Sequence, residues 1–378
     1  MSTIPDVVPH SWRVLPAPPV PASADEPDAW AYAGMAEVSR RVELATWGWP
    51  DLHMPTPVLL PTLRTTPYRE SAVWVAVRGD AATTPTAEDV VGYGLVHLPL
   101  AANTHLAEVE VEVLPGHEGA GAGTALLRAV EDHARAAGRT TVTTYTSHSP
   151  EPEPGPGALT APTGTGRAPA DARPVRFARR HGYALEQVER YSVLHLPGDP
   201  GARADLLADA RAAAGEEYRT HTWRDDVPAQ WYDDLAVLFT GMSTDVPLGG
   251  LAIEEDRWDA DRVRASIARA RSRHQHVLLT AAEHVPTGRL AAFTWLQVPE
   301  PDVPFAFQQD TLVLREHRGH RLGMLVKAVN LDAFTAWRPG ERRIHTWNAQ
   351  ENDHMLAINV ALGFRQEGVA AAWQRTGL

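Results

Sequence analysis

Apolar and polar positions alternate most cleanly over His105 to Val113 (HLAEVEVEV), where Glu108, Glu110 and Glu112 interleave with apolar residues, the pattern of a half-exposed strand. This stretch runs into Pro115-Gly116-His117-Glu118-Gly119-Ala120-Gly121-Ala122-Gly123, and helical spacing follows over Thr124 to Ala137. The order returns in Asp310 to Gly323. Thr311, Leu312, Val313 and Leu314 form an apolar run, Arg315 to Arg321 a basic turn, and Leu322, Leu325, Val326 and Val329 restore helical spacing. Val113, His117, Gly119 and Gly123 recur 200 positions later as Val313, His317, Gly319 and Gly323. Further on, Gly138-Arg139 and the strand Thr140 to Tyr145 correspond to Gly340-Glu341 and the strand Arg342 to Trp347. His181-Gly182-Tyr183 corresponds to Leu362-Gly363-Phe364. The changed spacing is absorbed by Ser147 to Arg173, a Pro- and Gly-rich run that predicts a loop or disordered insertion. The chain is read as an internal duplication.

The remaining periodicities fill in two similar units. Residues 1–24 are proline-rich and predict an extended lead-in. A first domain spans 25–198, with a helix over Asp25 to Trp47 and strands over Ser71 to Val77 and Val90 to Leu98. Pro197, Gly198, Pro200 and Gly201 mark the join, and a second domain spans 204–378. It contains strands Tyr218 to Trp223, His276 to Ala282 and Leu290 to Val298, helices near Pro228 to Phe239 and Trp258 to Arg271, and a last helix near Asn352 to Ala361. The fold class is α/β, with mixed α+β sheets flanked by helices, in tandem.

Composition narrows the chemistry. With 44% hydrophobic and 22% charged residues the 378-residue chain reads as globular, and a net charge of −12 argues against nucleic-acid or anionic-membrane partners. No cysteine is present, which excludes disulfides, thiolate-ligated metal and thiol catalysis. No leader pattern or membrane-length apolar run is found, so the expected location is cytoplasmic. Of 35 basic residues a single one, Lys327, is lysine, a bias expected of a G- and C-rich genome; Lys327 is expected to anchor a network with Asn330.

A strand delivered to a helix start through a Gly-bearing turn aims free backbone N–H groups and the helix dipole at one point, an anion site. His317 and His320 lie in that turn and suit phosphate contact better than metal, so no metal is expected.

The strand order, the repeated turn and the closing helix before Gly363-Phe364 resemble the GNAT superfamily of acyl-CoA-dependent N-acetyltransferases. The resemblance covers both halves and implies two tandem GNAT-like domains, an arrangement distantly similar to that of mycothiol synthase. It implies acetyl-CoA as cosubstrate, its pyrophosphate on an Arg/Gln-x-x-Gly-x-Gly/Ala turn. Arg318 and Gly323 match that turn, with Gly319, His320 and Leu322 between and beside them. Arg321 stands at the middle glycine and is expected to be tolerated at negative φ. In the first half Gly119, Gly121 and Gly123 form the turn, with Glu118 at the Arg/Gln position. A main-chain N–H near Val313 or Leu314 is implied to polarise the thioester carbonyl. Asn352 matches the family's asparagine, while Asn359 stands where its tyrosine would protonate the leaving thiolate, and Phe307 where its glutamate base would be. Asp310, with Gln309 beside it, and His345 are the candidates for the missing base. The second half is therefore expected to be catalytic and the first degenerate, acting on the primary amine of a small molecule as a monomer or homodimer. The alternative reading is a non-catalytic acyl-CoA-binding or assembly protein with pseudo-GNAT domains.

Overall fold

The computed structural model describes residues 12–79 and 84–378, so most of the N-terminal half of the expected lead-in lies outside the described residues. The chain divides into two compact units, Met1–Tyr145 with Gln374–Leu378, and Thr146–Trp373.

The first unit contains β1 (Trp12–Pro16), α1 (Trp30–Trp47), α2 (Thr56–Leu63), β2 (Arg69–Arg78), β3 (Val90–Pro99), β4 (Leu106–Val113), α3 (Ala122–Ala136) and β5 (Thr141–His148). Its strands lie in the order β1-β2-β3-β4-β5, antiparallel except for β4 and β5. Alternate residues of β2 and β3 supply the two faces. Val73, Val75, Val77 and Leu95 meet α1 and α2, while Ala76 and Val91 meet Ala122 and Leu126 of α3.

The second unit contains β6 (Ala158–Thr160), β7 (Arg167–Pro169), α4 (Arg173–Arg180), β8 (Ala184–Leu196), α5 (Pro200–Ala214), β9 (Tyr218–Arg224), α6 (Tyr232–Gly241) and α7 (Ala260–Ser272). It continues with β10 (Gln275–His284), β11 (Arg289–Pro299), β12 (Phe305–Val313), α8 (Leu322–Trp337), β13 (Arg342–Ala349), α9 (Asp353–Ala361) and β14 (Arg365–Thr376), the last up to Trp373. Its strand order is β14-β8-β13-β12-β11-β10-β9. Leu278, Leu296, Ala306 and Ile344 face α5, α8 and α9, and Val277, Leu279, Phe293 and Leu312 face α6 and α7.

This partition differs from the expected domains 25–198 and 204–378. β8 closes the first sequence repeat, yet it pairs antiparallel with β13 from Leu196↔Arg342 to Glu189↔Ala349 and so completes the second unit's sheet. The expected join holds α5, started by Asp199, whose carboxylate accepts from the N–H groups of Gly201 and Ala202. The run Ser147 to Arg173 is ordered around the β6–β7 hairpin.

Both helices that follow the repeated turn begin on a left-handed residue, Gly121 at φ +92 and Arg321 at φ +52. The expectation of a negative φ at Arg321 is therefore corrected: the turn itself demands the left-handed conformation, and the second half meets it with a residue carrying Cβ. Gly121→Ala should cost roughly 1–2 kcal/mol of stability, and Arg321→Gly should leave stability unchanged or raised. Urea midpoints of the two variants against the parent would check both signs.

Candidate functional site

β12 and β13 run parallel for three residue pairs, Phe305↔Arg343, Ala306↔Ile344 and Phe307↔His345, and then part. On its other side β12 slips register against β11 between Thr294 and Leu296, so Gln309 and Asp310 sit in a bulge. Buried side chains hold the irregularity. Gln308 Nε2 donates to Trp295 O at 2.9 Å and to Thr294 Oγ1 at 3.0 Å, and the Thr294 and Thr311 hydroxyls are 2.7 Å apart. A bulge leaves backbone N–H groups outside the ladder, and strands that part leave a slot.

That slot is a cavity of about 260 Å³. Gln308 to Thr311 of β12 and Thr346, Trp347 and Asn348 of β13 form its walls. Lys327 of α8 with Asn352 and Met355 close one side, and Met242 and Val246, just after α6, the other. Because α8 and α9 pack on one face of the sheet and α6 on the opposite face, the cavity passes through the sheet where the strands part.

Asp310 lines the cavity and accepts from Trp295 Nε1 at 3.1 Å. Burial holds its carboxyl above the usual aspartate value of 3.8, against the opposing pull of that hydrogen bond. Asn352 lines the cavity too, and its Oδ1 caps α9 by accepting from the Met355 N–H at 3.2 Å. Asn359 is buried; its Nδ2 donates to Asn348 Oδ1 at 2.6 Å, and its own Oδ1 has no partner among the described residues. His345 is not among the cavity's lining residues. It is fully buried, 2.8 Å from Tyr191 Oη through Nδ1 and flanked by Phe305 and Phe307. The buried Tyr191 contact, supplied by β8, was not legible from the second repeat alone.

The turn from Val313 to Gly323 joins β12 to α8, the two elements that line the cavity at Thr311 and Lys327. The backbone N–H groups of Gly319, His320, Arg321, Leu322 and Gly323 find no acceptor among the described residues, at the positive end of α8. Gly323 packs closely, since a Cβ there would lie 3.1 Å from Ile358 Cδ1, which would have to shift. The N–H of Leu314 is committed to Ala291 O at 2.9 Å, which corrects its expected role; Gln309 and Asp310, in the bulge, have no register partner on β11. The Arg318 guanidinium is also engaged, donating to Asp245 at 2.9 Å beside Arg315. Arg321 lies 3.7 Å from Asp209. His320 and His317 pack around Tyr218, and desolvation together with the nearby His284 and His320 lowers the His317 pKa. Among the described residues no group of side chains could hold a metal ion.

In the first unit the corresponding turn also has free N–H groups at Gly119, Ala120, Gly121 and Gly123. Glu118 turns its carboxylate onto the Gly116 N–H at 2.7 Å, and Trp12 donates to Ala120 O at 3.2 Å. Sequence reasoning passed over Gln308, Thr346, Asn348, Met242 and Val246. Gln308-Gln309-Asp310, three polar residues inside a strand otherwise apolar, was the available signal.

The acetyltransferase (GNAT) family model matches residues 41–151. The whole chain has the tandem GNAT fold. It is similar to a tandem GNAT protein from the clavulanic acid biosynthesis pathway, at 23% identity and TM-score 0.70, over 97% of this chain and 99% of that one. It is also similar to a GCN5-related N-acetyltransferase from Sphaerobacter thermophilus, at 15% identity and TM-score 0.59, over 99% and 97%. A third likeness is to a glucosamine N-acetyltransferase region of a fungal multidomain β-N-acetylglucosaminidase, at 14% identity and TM-score 0.56, over 99% of this chain and 40% of that one. No curated protein matches in sequence. No helix among the described residues is long and apolar enough to cross a membrane.

The raised pKa of Asp310 fixes a sign. Its folded-state value lies above its unfolded one, so ionising it costs stability once pH exceeds about 4, and that cost disappears as pH falls below the unfolded value. Asp310→Asn, which keeps an acceptor for Trp295, should therefore raise the melting temperature at pH 7 and lose the advantage at pH 3. Thermal melts of both proteins across that range would test it.

Proposed function

We propose that the second unit transfers an acetyl group from acetyl-CoA to the primary amine of a small molecule by direct attack. The observation that carries this reading is the juxtaposition of a turn of five free backbone N–H groups with a cavity that crosses the sheet between β12 and β13. The pyrophosphate would take the turn, as anions take helix N-termini. The pantetheine arm would run between α8 and α9 to the slot, and the bulge N–H groups would meet the carbonyl oxygen as it gains charge. The acceptor would enter from the Met242 and Val246 side, where Asp310 is available to bind its ammonium or take its proton. Its nitrogen attacks the thioester carbon, and the carbon–sulfur bond breaks.

Calorimetry with CoA, followed by thiol release from acetyl-CoA across an amine panel that includes amino sugars and amino-acid amides, tests the reading. Binding with turnover of at least one amine supports it; binding with silence across the panel favours the acyl-CoA-binding alternative. Gly323→Val, which drives a branched side chain against Ile358, should weaken CoA binding at least tenfold, about 1.4 kcal/mol.

A second reading rests on a different observation, because the family model matches the first half and Gly121 there keeps the family's glycine. That unit would hold a second CoA. A calorimetric stoichiometry of two, reduced to one by Gly123→Val, is the expected outcome if it does, and a stoichiometry of one in the parent protein would exclude it.

A further inference from the structure

We propose that Lys327 protonates the thiolate of CoA as the acyl group departs, the role of general acid that Asn359 cannot fill; this rests on the acyl-transfer reading above. Lys327 is 3% exposed, lines the cavity, and makes no hydrogen bond or ion pair with any described residue; its Nζ lies 5.6 Å from the centre of the Phe364 ring. The expected network with Asn330 does not form, because the Asn330 amide donates to Leu278 O and Thr280 Oγ1, both at 3.0 Å. A buried amine without a partner is costly. One that faces a cavity points to an anionic or proton-accepting group that belongs there.

Its place in the fold selects which group. Lys327 is on α8, five residues past its first residue, Leu322, and so about 8 Å along the helix axis, on the face of the sheet where the carrier would lie. The acceptor side of the slot is lined by the segment after α6, on the opposite face. Asp310 is the only other titratable group among the residues lining either cavity that Lys327 touches, which draw on β11, β12, β13, α9 and the segments after α6 and α9. The two are not an ion pair, so one group is available on each side, an arrangement that separates acid from base.

The chemistry of the side chain agrees. Burial lowers the Lys327 pKa from 10.5 to about 7, close enough to that of a thiol for proton transfer and still partly protonated at neutral pH. Of the 35 basic residues only this one can give up a proton, since a guanidinium does not titrate. In the step itself the acceptor nitrogen bonds to the carbonyl carbon and the carbon–sulfur bond breaks with its electron pair on sulfur. The Nζ proton passes to that sulfur. The protons shed by the acceptor nitrogen go to Asp310 and water, and Lys327 is reprotonated from solvent.

Lys327→Met keeps length and apolar bulk and removes a desolvated charge, so it should fold with an unchanged or raised melting temperature. In the parent protein with CoA bound, the ultraviolet absorbance of the thiolate should titrate at lower pH than in Lys327→Met, by about one unit or more. With an amine that turns over, kcat for Lys327→Met should fall about a hundredfold with KM for acetyl-CoA little changed, and the decline of rate above neutral pH should vanish. If Lys327→Met binds CoA and its thiol titrates as in the parent, the inference is overturned while acyl transfer stands. Loss of CoA binding in that variant also overturns it, by making Lys327 part of the carrier site. No CoA binding by the parent protein removes the acyl-transfer reading and this one with it.

Discussion

Parallel strands hold together only while their slanted hydrogen bonds continue, and in the second unit β12 and β13 sustain them for three residue pairs. Beyond Phe307 and His345 nothing on the two strands repairs the loss; Thr346 Oγ1 reaches Gln308 O only at 3.4 Å. The sheet survives because β12 is tied on its other edge to β11, with Gln308 bridging the bulge to Trp295 and Thr294, and because β8 secures β13 along eight residue pairs. The opening is thus supported from both flanks. Everything assigned to the site follows from it: the cavity through the sheet, the bulge at Gln309 and Asp310, and the approach of α8 and α9 to one mouth and α6 to the other.

The first unit repeats the backbone and changes the chemistry. β4 and β5 also pair for three residues, from Leu106↔Thr141 to Glu108↔Thr143, and the turn again precedes its helix with a left-handed residue. Along the parting strand, however, stand Glu108, Glu110 and Glu112, with Tyr93 Oη donating to Glu110. Desolvation holds Glu110 and Glu112 above the ordinary carboxylate range and Glu43 at about 7. Expected as a solvated strand face, Glu108 and Glu110 do keep exposed surface. Three carboxyl groups along this strand give the first unit's opening a different lining from the second's, as one fold can carry different chemistry.

What could be read in the sequence was what is local. Glycine spacing, a period-2 strand and a helical period 200 residues apart from their copies specify the strand-turn-helix unit wherever it lies, and the observed elements fall there within a few residues. β8 was missed because strand partners are chosen by long-range packing, and its pairing with β13 crosses from one repeat's sequence into the other's sheet. The partners of charged side chains were equally hidden. Arg318 is held by Asp245, 73 positions away, and His345 by Tyr191, 154 positions away. Neither pairing leaves a trace in spacing.

Two groups in the second unit's cavity work against the fold that holds them. Asp310 has its pKa raised, so its cost is present above the usual aspartate range and vanishes in acid. Lys327 has its pKa lowered to about 7, so its cost is present below the ordinary lysine value of 10.5 and is complete below about 7. Near neutral pH both costs act together. Direct pairing would offset them, since opposite charges that close attract strongly in a poorly solvated site, yet no ion pair joins them. Apolar replacements of similar volume would remove both costs outright. A cavity that keeps an acid and an amine apart, the carboxyl pushed up and the amine pushed down by burial, is poorly explained as packing. It is the arrangement expected where one proton has to leave on one side of a reacting centre and another has to arrive on the opposite side.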